Sequence, residues 1–183
     1  MQGLHARRAE VALSPPVFDD PFEALLCEHE RQRGVCDLLV RLAHNPRHGA
    51  RPGEIEAACD YLARDLSLHI ADEQDTLVPL LRLRATEEDD IGSVAGILVD
   101  GHDADELVAM AILVDLERLA SGRGLRDPLG FFGQAVKLAS SWSRHLDWED
   151  RIFLPLAKKR LERADLSHLG REMVRRRSAS AAA

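Results

Sequence analysis

Four histidines of this chain, His29, His69, His102 and His145, fall in line with apolar residues three, four and seven positions away. His29 lies in a row with Phe22, Leu25, Cys36 and Leu39. His69 and Glu73 lie with Leu62, Leu66 and Leu77, and His102 and Glu106 with Ala95, Leu98, Ala109 and Leu113. His145 and Glu149 lie with Leu138, Trp142 and either Ile152 or Phe153. At that spacing the residues share one helix face. Each element therefore turns one imidazole inward, and three add a carboxylate one turn later. A buried carboxylate is costly unless it is paired or binds a metal. Acids make up 31 of 183 residues, so a given His meets one at +4 roughly one time in six. Three such pairs on apolar rows are far from chance.

Four imidazoles and three carboxylates suit two hard or borderline divalent ions, iron or manganese. Carboxylates can bridge the ions while imidazoles take terminal positions, with room left for a bridging oxo or hydroxo group and an exogenous ligand. Structural zinc takes four ligands, often with Cys. The alternative is a metal-free helical bundle with buried His–Glu pairs, an arrangement that costs heavily without a cation.

The pattern is written twice. HIADEQDTLVPLL (69–81) and HLDWEDRIFLPLA (145–157) share His, Glu at +4, Pro at +10 and Leu at +11, at a distance of 76 residues. EHE (28–30) and GHD (101–103) open the two halves, 40 and 43 residues before the later histidines. Such a repeat implies approximate two-fold symmetry around a two-metal centre. The Glu-x-x-His spacing of ferritin-like di-iron bundles is absent: Leu26, Leu66, Val99 and Trp142 precede the four histidines by three.

These residues need four long helices to hold them. Asp20–Pro21 and Asp127–Pro128 read as caps followed by a proline in the first turn. Thr86 and Asp89 form a capping box, and HNPRHGARPG and SGRG read as turns. Pro79 and Pro155 are expected to kink or end their helices. The expected fold is all-α, an antiparallel up-down-up-down four-helix bundle over residues 19–163. Residues 1–18 read as disordered, and 164–183 as a frayed basic helix and tail without a function of its own.

One domain is the prior for 183 residues. Net charge is −7, and residues 19–163 alone carry −10. That acidic body argues against nucleic acid as a partner. Cys27, Cys36 and Cys59 form no CxxC pair, which points to a reducing compartment. The N-terminus lacks the apolar core of a signal peptide, and no apolar run approaches the ~20 residues of a membrane span. A cytoplasmic location and no membrane partner are expected. The cysteines read as small buried hydrophobes, Tyr61 has no evident role, and Trp142 is expected to wall the ligand pocket.

With these motifs in order, the chain resembles the hemerythrin-like family, the HHE cation-binding domains. The resemblance rests on EHE at 28–30, HIADEQDTLVP at 69–79, GHDADEL at 101–107 and HLDWEDRIFLP at 145–155, and covers about residues 19–163. It implies a non-heme centre of two iron ions, held by His29, His69, Glu73, His102, His145 and Glu149, with the two glutamates as bridges. Oxygen-carrying members have a His one turn after the helix-three His, where this chain has Glu106. Glu106 is read either as a seventh metal ligand, the reading adopted, or as an acid behind the ligands; an anion in place of a neutral imidazole favours oxidised irons. Those members also place the helix-four acid five after its His, which is Asp150 here. The internal repeat favours Glu149 instead and leaves Asp150 as a solvated neighbour. Members that repair iron–sulfur clusters after nitric-oxide stress carry an extra His near the end of the first helix. His44 matches that place but reads as a loop residue.

The expected function is binding of a small ligand, O2, peroxide or NO, at an open iron position, in oxygen or redox sensing or in stress handling. Whether it is an enzyme stays open, a di-iron oxidoreductase acting on peroxide or NO being one form. An iron donor or buffer for iron–sulfur cluster repair is the alternative.

Overall fold

The computed structural model describes residues 20–181. The segment 1–18, expected to be disordered, lies outside the described residues. Among them the chain forms five helical stretches and no strand. Helix α1 (Pro21–His44) starts as its sequence suggests: the Asp20 carboxylate accepts from the Phe22 amide at 2.9 Å, and Pro21 occupies the first turn, where no amide is missed. Helix α2 spans 54–84, α3 is Ile91–Ala120, and α4 spans 128–160. The Thr86–Asp89 capping box forms, but around a short 3-10 turn (Glu87–Asp89) ahead of α3, which Asp90 caps. Asp127 accepts from the Gly130 amide at 3.0 Å at the start of α4.

Pro79 and Pro155 neither end nor break their helices. Each follows a π turn, Glu73–Leu77 in α2 and Glu149–Phe153 in α4. A proline ring normally collides with the carbonyl four residues back. Here those residues, Asp75 and Arg151, lie in the widened turn. The helices continue to Arg84 and Arg160. The repeated motif thus encodes a widened turn whose first residue is the glutamate.

Two apolar layers form, with the His and Glu residues between them. One contains Leu39, Leu42, Leu62, Leu66, Ile112, Leu116, Leu138 and Trp142. The other contains Phe22, Leu25, Leu77, Leu81, Leu98, Phe153 and Leu154. A polar layer between two dry ones is shielded from water on both sides.

Residues 164–181, expected to be a frayed basic helix and tail, are helical and packed against the bundle. They belong to a fifth helix, α5 (Arg163–Ala181), whose Leu169 and Met173 are fully buried in the second apolar layer. Arg84 donates to Asp165 at 2.9 and 3.2 Å and ties the start of α5 to the end of α2. So few apolar residues anchor this helix that its weakly amphipathic sequence resembles a solvated tail. Among the described residues no helix is long and apolar enough to cross a membrane.

Candidate metal centre

Six of the seven residues expected to hold metal meet in the polar layer. His29 comes from α1, His69 and Glu73 from α2, His102 from α3, and His145 and Glu149 from α4. His29, His69, Glu73 and Glu149 bring one ligand atom each within 4.8 Å of one another, and His102, His145 and Glu149 do the same. The two groups share Glu149. Glu73 also reaches both: its carboxylate lies 3.7 Å from His29 Nε2, 3.7 Å from His69 Nε2 and 3.4 Å from His102 Nε2. Glu149 lies 3.3 Å from His29, 3.5 Å from His102 and 2.7 Å from His145.

The donor set fits a cation. His29 Nε2, His145 Nε2 and all four oxygens of Glu73 and Glu149 are buried without a well-aligned hydrogen bond, even where His145 Nε2 and Glu149 approach to 2.7 Å. Buried polar atoms are rarely left unsatisfied. Six orphaned ligand atoms that point into one space have a common explanation in a bound ion.

The charges of the metal-free state point the same way. Burial opposes protonation of His29, but Asp150, Glu73 and Glu149 outweigh it and push its pKa up to about 10. His102 rises to about 9, where burial is outweighed by Glu149 and Glu73. His69, with burial dominant, falls to about 4. Burial likewise opposes ionisation of Glu73, yet the imidazoles of His69, His102 and His29 hold it well below the usual carboxylate range. Without a cation, the two carboxylates keep protons on neighbouring imidazoles.

The surroundings orient the imidazoles. His29 Nδ1 donates to Asp150 Oδ1 at 2.7 Å, and Arg33 donates to the other oxygen of Asp150 at 2.5 Å. Asp150 is therefore not a solvated neighbour. It fixes which nitrogen of His29 faces the centre, a role outer carboxylates play at many metal sites. The Gln74 side-chain amide lies 3.0 Å from His102 Nδ1. The Trp148 ring stacks on His145 at 6.2 Å and on Phe153 at 6.1 Å. Trp142 belongs to the apolar layer instead. Gly101 makes room for His145: a Cβ there would sit 2.5 Å from the ring Cε1 and Nδ1. The GHD motif thus supplies space as well as a candidate ligand.

Glu106 does not join the centre. It is exposed, and the buried acid of that turn is Asp105, with Oδ2 unpartnered. Both positions lie about one turn beyond His102. The buried row Leu98, His102, Ala109, Ile112 and Leu116 passes through 105, and 106 is about 100° further round. Counting four residues ahead favours Glu106; the burial of Ile112 and Leu116 favours Asp105. Each ligand group therefore keeps two imidazoles, without the anion expected from Glu106.

The remaining candidates separate. His44 is exposed at the end of α1, against Phe132, and lies ~22 Å along the helix from His29. Cys36 is buried, and burial pushes its thiol up to about 12, which leaves no thiolate near the centre. Cys27, expected to be buried, is exposed. Tyr61 is buried and donates to Gln32 Oε1 at 2.9 Å.

A helical bundle with a buried His–Glu centre of this kind defines a class of cation-binding helical proteins. Residues 20–157 match the model of the hemerythrin HHE cation-binding domain, and the chain belongs to that family. No curated protein and no solved structure is similar enough to the chain to match it.

Proposed function

We propose that the chain is a non-heme di-iron protein that binds a small ligand, O2, peroxide or NO, at a carboxylate-bridged centre. The observation that carries this is the pair of ligand groups sharing Glu149, with Glu73 reaching both. One ion would be held by His29 and His69 and the other by His102 and His145, with both glutamates as bridges. Six side chains leave coordination positions open on both ions. When bound, the irons would supply electrons and a vacant site for the ligand. The family match, the six orphaned ligand atoms and the all-oxygen-and-nitrogen donor set support iron or manganese over structural zinc. An antiparallel arrangement of α1 to α4 agrees with the short turns between consecutive helices, with α5 added against α1 and α2.

The two halves differ in access. His29 and His69 are shut in, whereas the side chains of His102 and His145 retain 7% and 9% exposure. A ligand entering from solvent would meet the His102–His145 side first. Asp150, Arg33 and Gln74 would hold the imidazoles in place, and the two apolar layers would keep bulk water out. Handling of oxygen, peroxide or nitric oxide inside the cell is the role that fits such a pocket.

Metal content after iron-replete expression, followed by optical spectra during anaerobic reduction and air exposure, tests the reading. About two irons per chain and a reversible spectral change on air exposure are expected. Fewer than about one iron or manganese per chain would defeat it.

A further inference from the structure

One buried charged cluster lies outside the centre. Asp72 and Glu28 are 0% and 1% exposed, and each is the sequence neighbour of a proposed ligand, Glu73 and His29. Their partners are arginines. Arg176 Nη1 donates to Asp72 Oδ1 at 2.8 Å, and its Nη2 donates to Thr76 Oγ1 at 2.5 Å. Arg177 donates to Asp72 Oδ2 at 2.6 Å and lies 3.8 Å from Glu28. Arg31 holds Glu28 from within α1 at 2.8 Å.

These contacts straddle a particular piece of backbone. Asp72 precedes the π turn Glu73–Leu77, and Thr76 lies within it. Glu73 opens that turn. π turns are rare, short and common at functional sites, and something must hold them against relaxation to a regular helix. In α4 the matching turn, Glu149–Phe153, is held by Arg33 of α1 through Asp150. In α2 the holding arginine comes from α5.

We propose that Arg176, assisted by Arg177, is a positioning residue of the metal centre: its guanidinium spans Asp72 and Thr76, fixes the π turn between them, and so aims Glu73 at the ions. Helix α5 is then a clamp on metal retention. Leu169 and Met173 seat it, and the two arginines act through the seat. A planar fork that donates in two directions is needed, and a lysine cannot supply it. The proposal rests on the reading of the centre as a metal site.

The test uses the full-length chain loaded with Co2+ and then challenged with EDTA. Compared are wild type, Arg176→Lys, Thr76→Val and, as a control, Arg175→Ala, whose side chain pairs with Glu172 on the surface. Arg176→Lys should release Co2+ at least tenfold faster and Thr76→Val several-fold faster, with Arg175→Ala within twofold of wild type. Hydrogen exchange on the metal-free proteins gives an independent readout. Amides of 73–77 should exchange faster in Arg176→Lys and Thr76→Val, while those around Leu169 and Met173 stay protected. Release within twofold of wild type in both variants overturns the proposal. So does an equal loss of protection along α5, which signals undocking in place of positioning. If wild type takes up no Co2+, the metal reading itself fails, and unchanged exchange at 73–77 then overturns the clamp separately.

Discussion

Replacing Gly101 with alanine should remove one metal position while leaving the bundle folded. A Cβ at 101 would lie 2.5 Å from two atoms of the His145 ring. Contacts between such atoms have their optimum at roughly 3.5 Å or more, so the ring must retreat by about 1 Å. Ligand distances at a metal site tolerate only about 0.2 Å. The required shift is several times that tolerance, and the His102–His145 position should be lost. Folding energy moves much less. Overpacking costs about 1–3 kcal/mol, and alanine regains about 0.8–1 kcal/mol over glycine within a helix. The net loss is up to about 2 kcal/mol, a fall of at most about 8 °C in Tm for a chain of this size. The His145 side chain retains 9% exposure, which gives the ring somewhere to go. Gly96 lies on the same helix, and a Cβ there would meet nothing within 4 Å, so it serves as the control. Gly96→Ala should keep its metal and gain about 2–4 °C. The assay is metal per chain after loading and gel filtration, with Tm of the metal-free proteins. A Gly101→Ala chain that keeps the wild-type metal count, with affinity within threefold, would refute the steric argument.

Glu149→Gln should reduce metal content sharply, because it removes the carboxylate common to both ligand groups, whereas Glu106→Gln should leave it unchanged; elemental analysis of both variants separates the inward carboxylate from the exposed one. Asp150→Asn should weaken metal binding about 10- to 100-fold, measured by chelator competition, since it takes away the anion that orients His29. Metal loading at pH 7.5 should release protons, because His29 and His102 hold theirs up to about 10 and about 9 in the metal-free state; calorimetry in two buffers of different ionisation heat counts them. The pH trends should oppose each other. Metal affinity should rise towards pH 9. The metal-free fold should lose stability there: the raised folded pKa of these histidines contributes fully below the unfolded value near 6.5 and is lost as pH rises through about 9 to 10. Metal-free denaturation midpoints that stay flat from pH 6.5 to 10 would contradict this.

Much of the centre is legible in the linear chain because helical periodicity is a local property. The rows through His29, His69, His102 and His145 are set by residues within two turns, and the repeated phrase marks Glu73 and Glu149. Glu106 shows where local periodicity runs out. Positions 105 and 106 fall on either side of His102, about 60° and about 40° round the helix, and the packing of Ile112 and Leu116 decides between them. Asp150 escapes a local reading for a related reason: its partners, His29 and Arg33, are more than a hundred residues away, beyond any short-range pattern. Pro79 and Pro155 stand out in the sequence, but the π turns that accommodate them belong to the backbone.

By itself, the sequence determined that the chain is helical, that Asp20–Pro21 and Asp127–Pro128 begin α1 and α4, and that imidazoles and carboxylates recur on apolar faces. Those features depend on caps, spacing and the cost of burying charge, all written within a few residues. Only the tertiary structure decided that Glu73 and Glu149 each reach both groups, that Gly101 yields space to His145, and that α5 folds back with Arg176 and Arg177 against Asp72. Those depend on side chains brought together from separate helices, where angles of tens of degrees and distances of an ångström select one neighbour over the next.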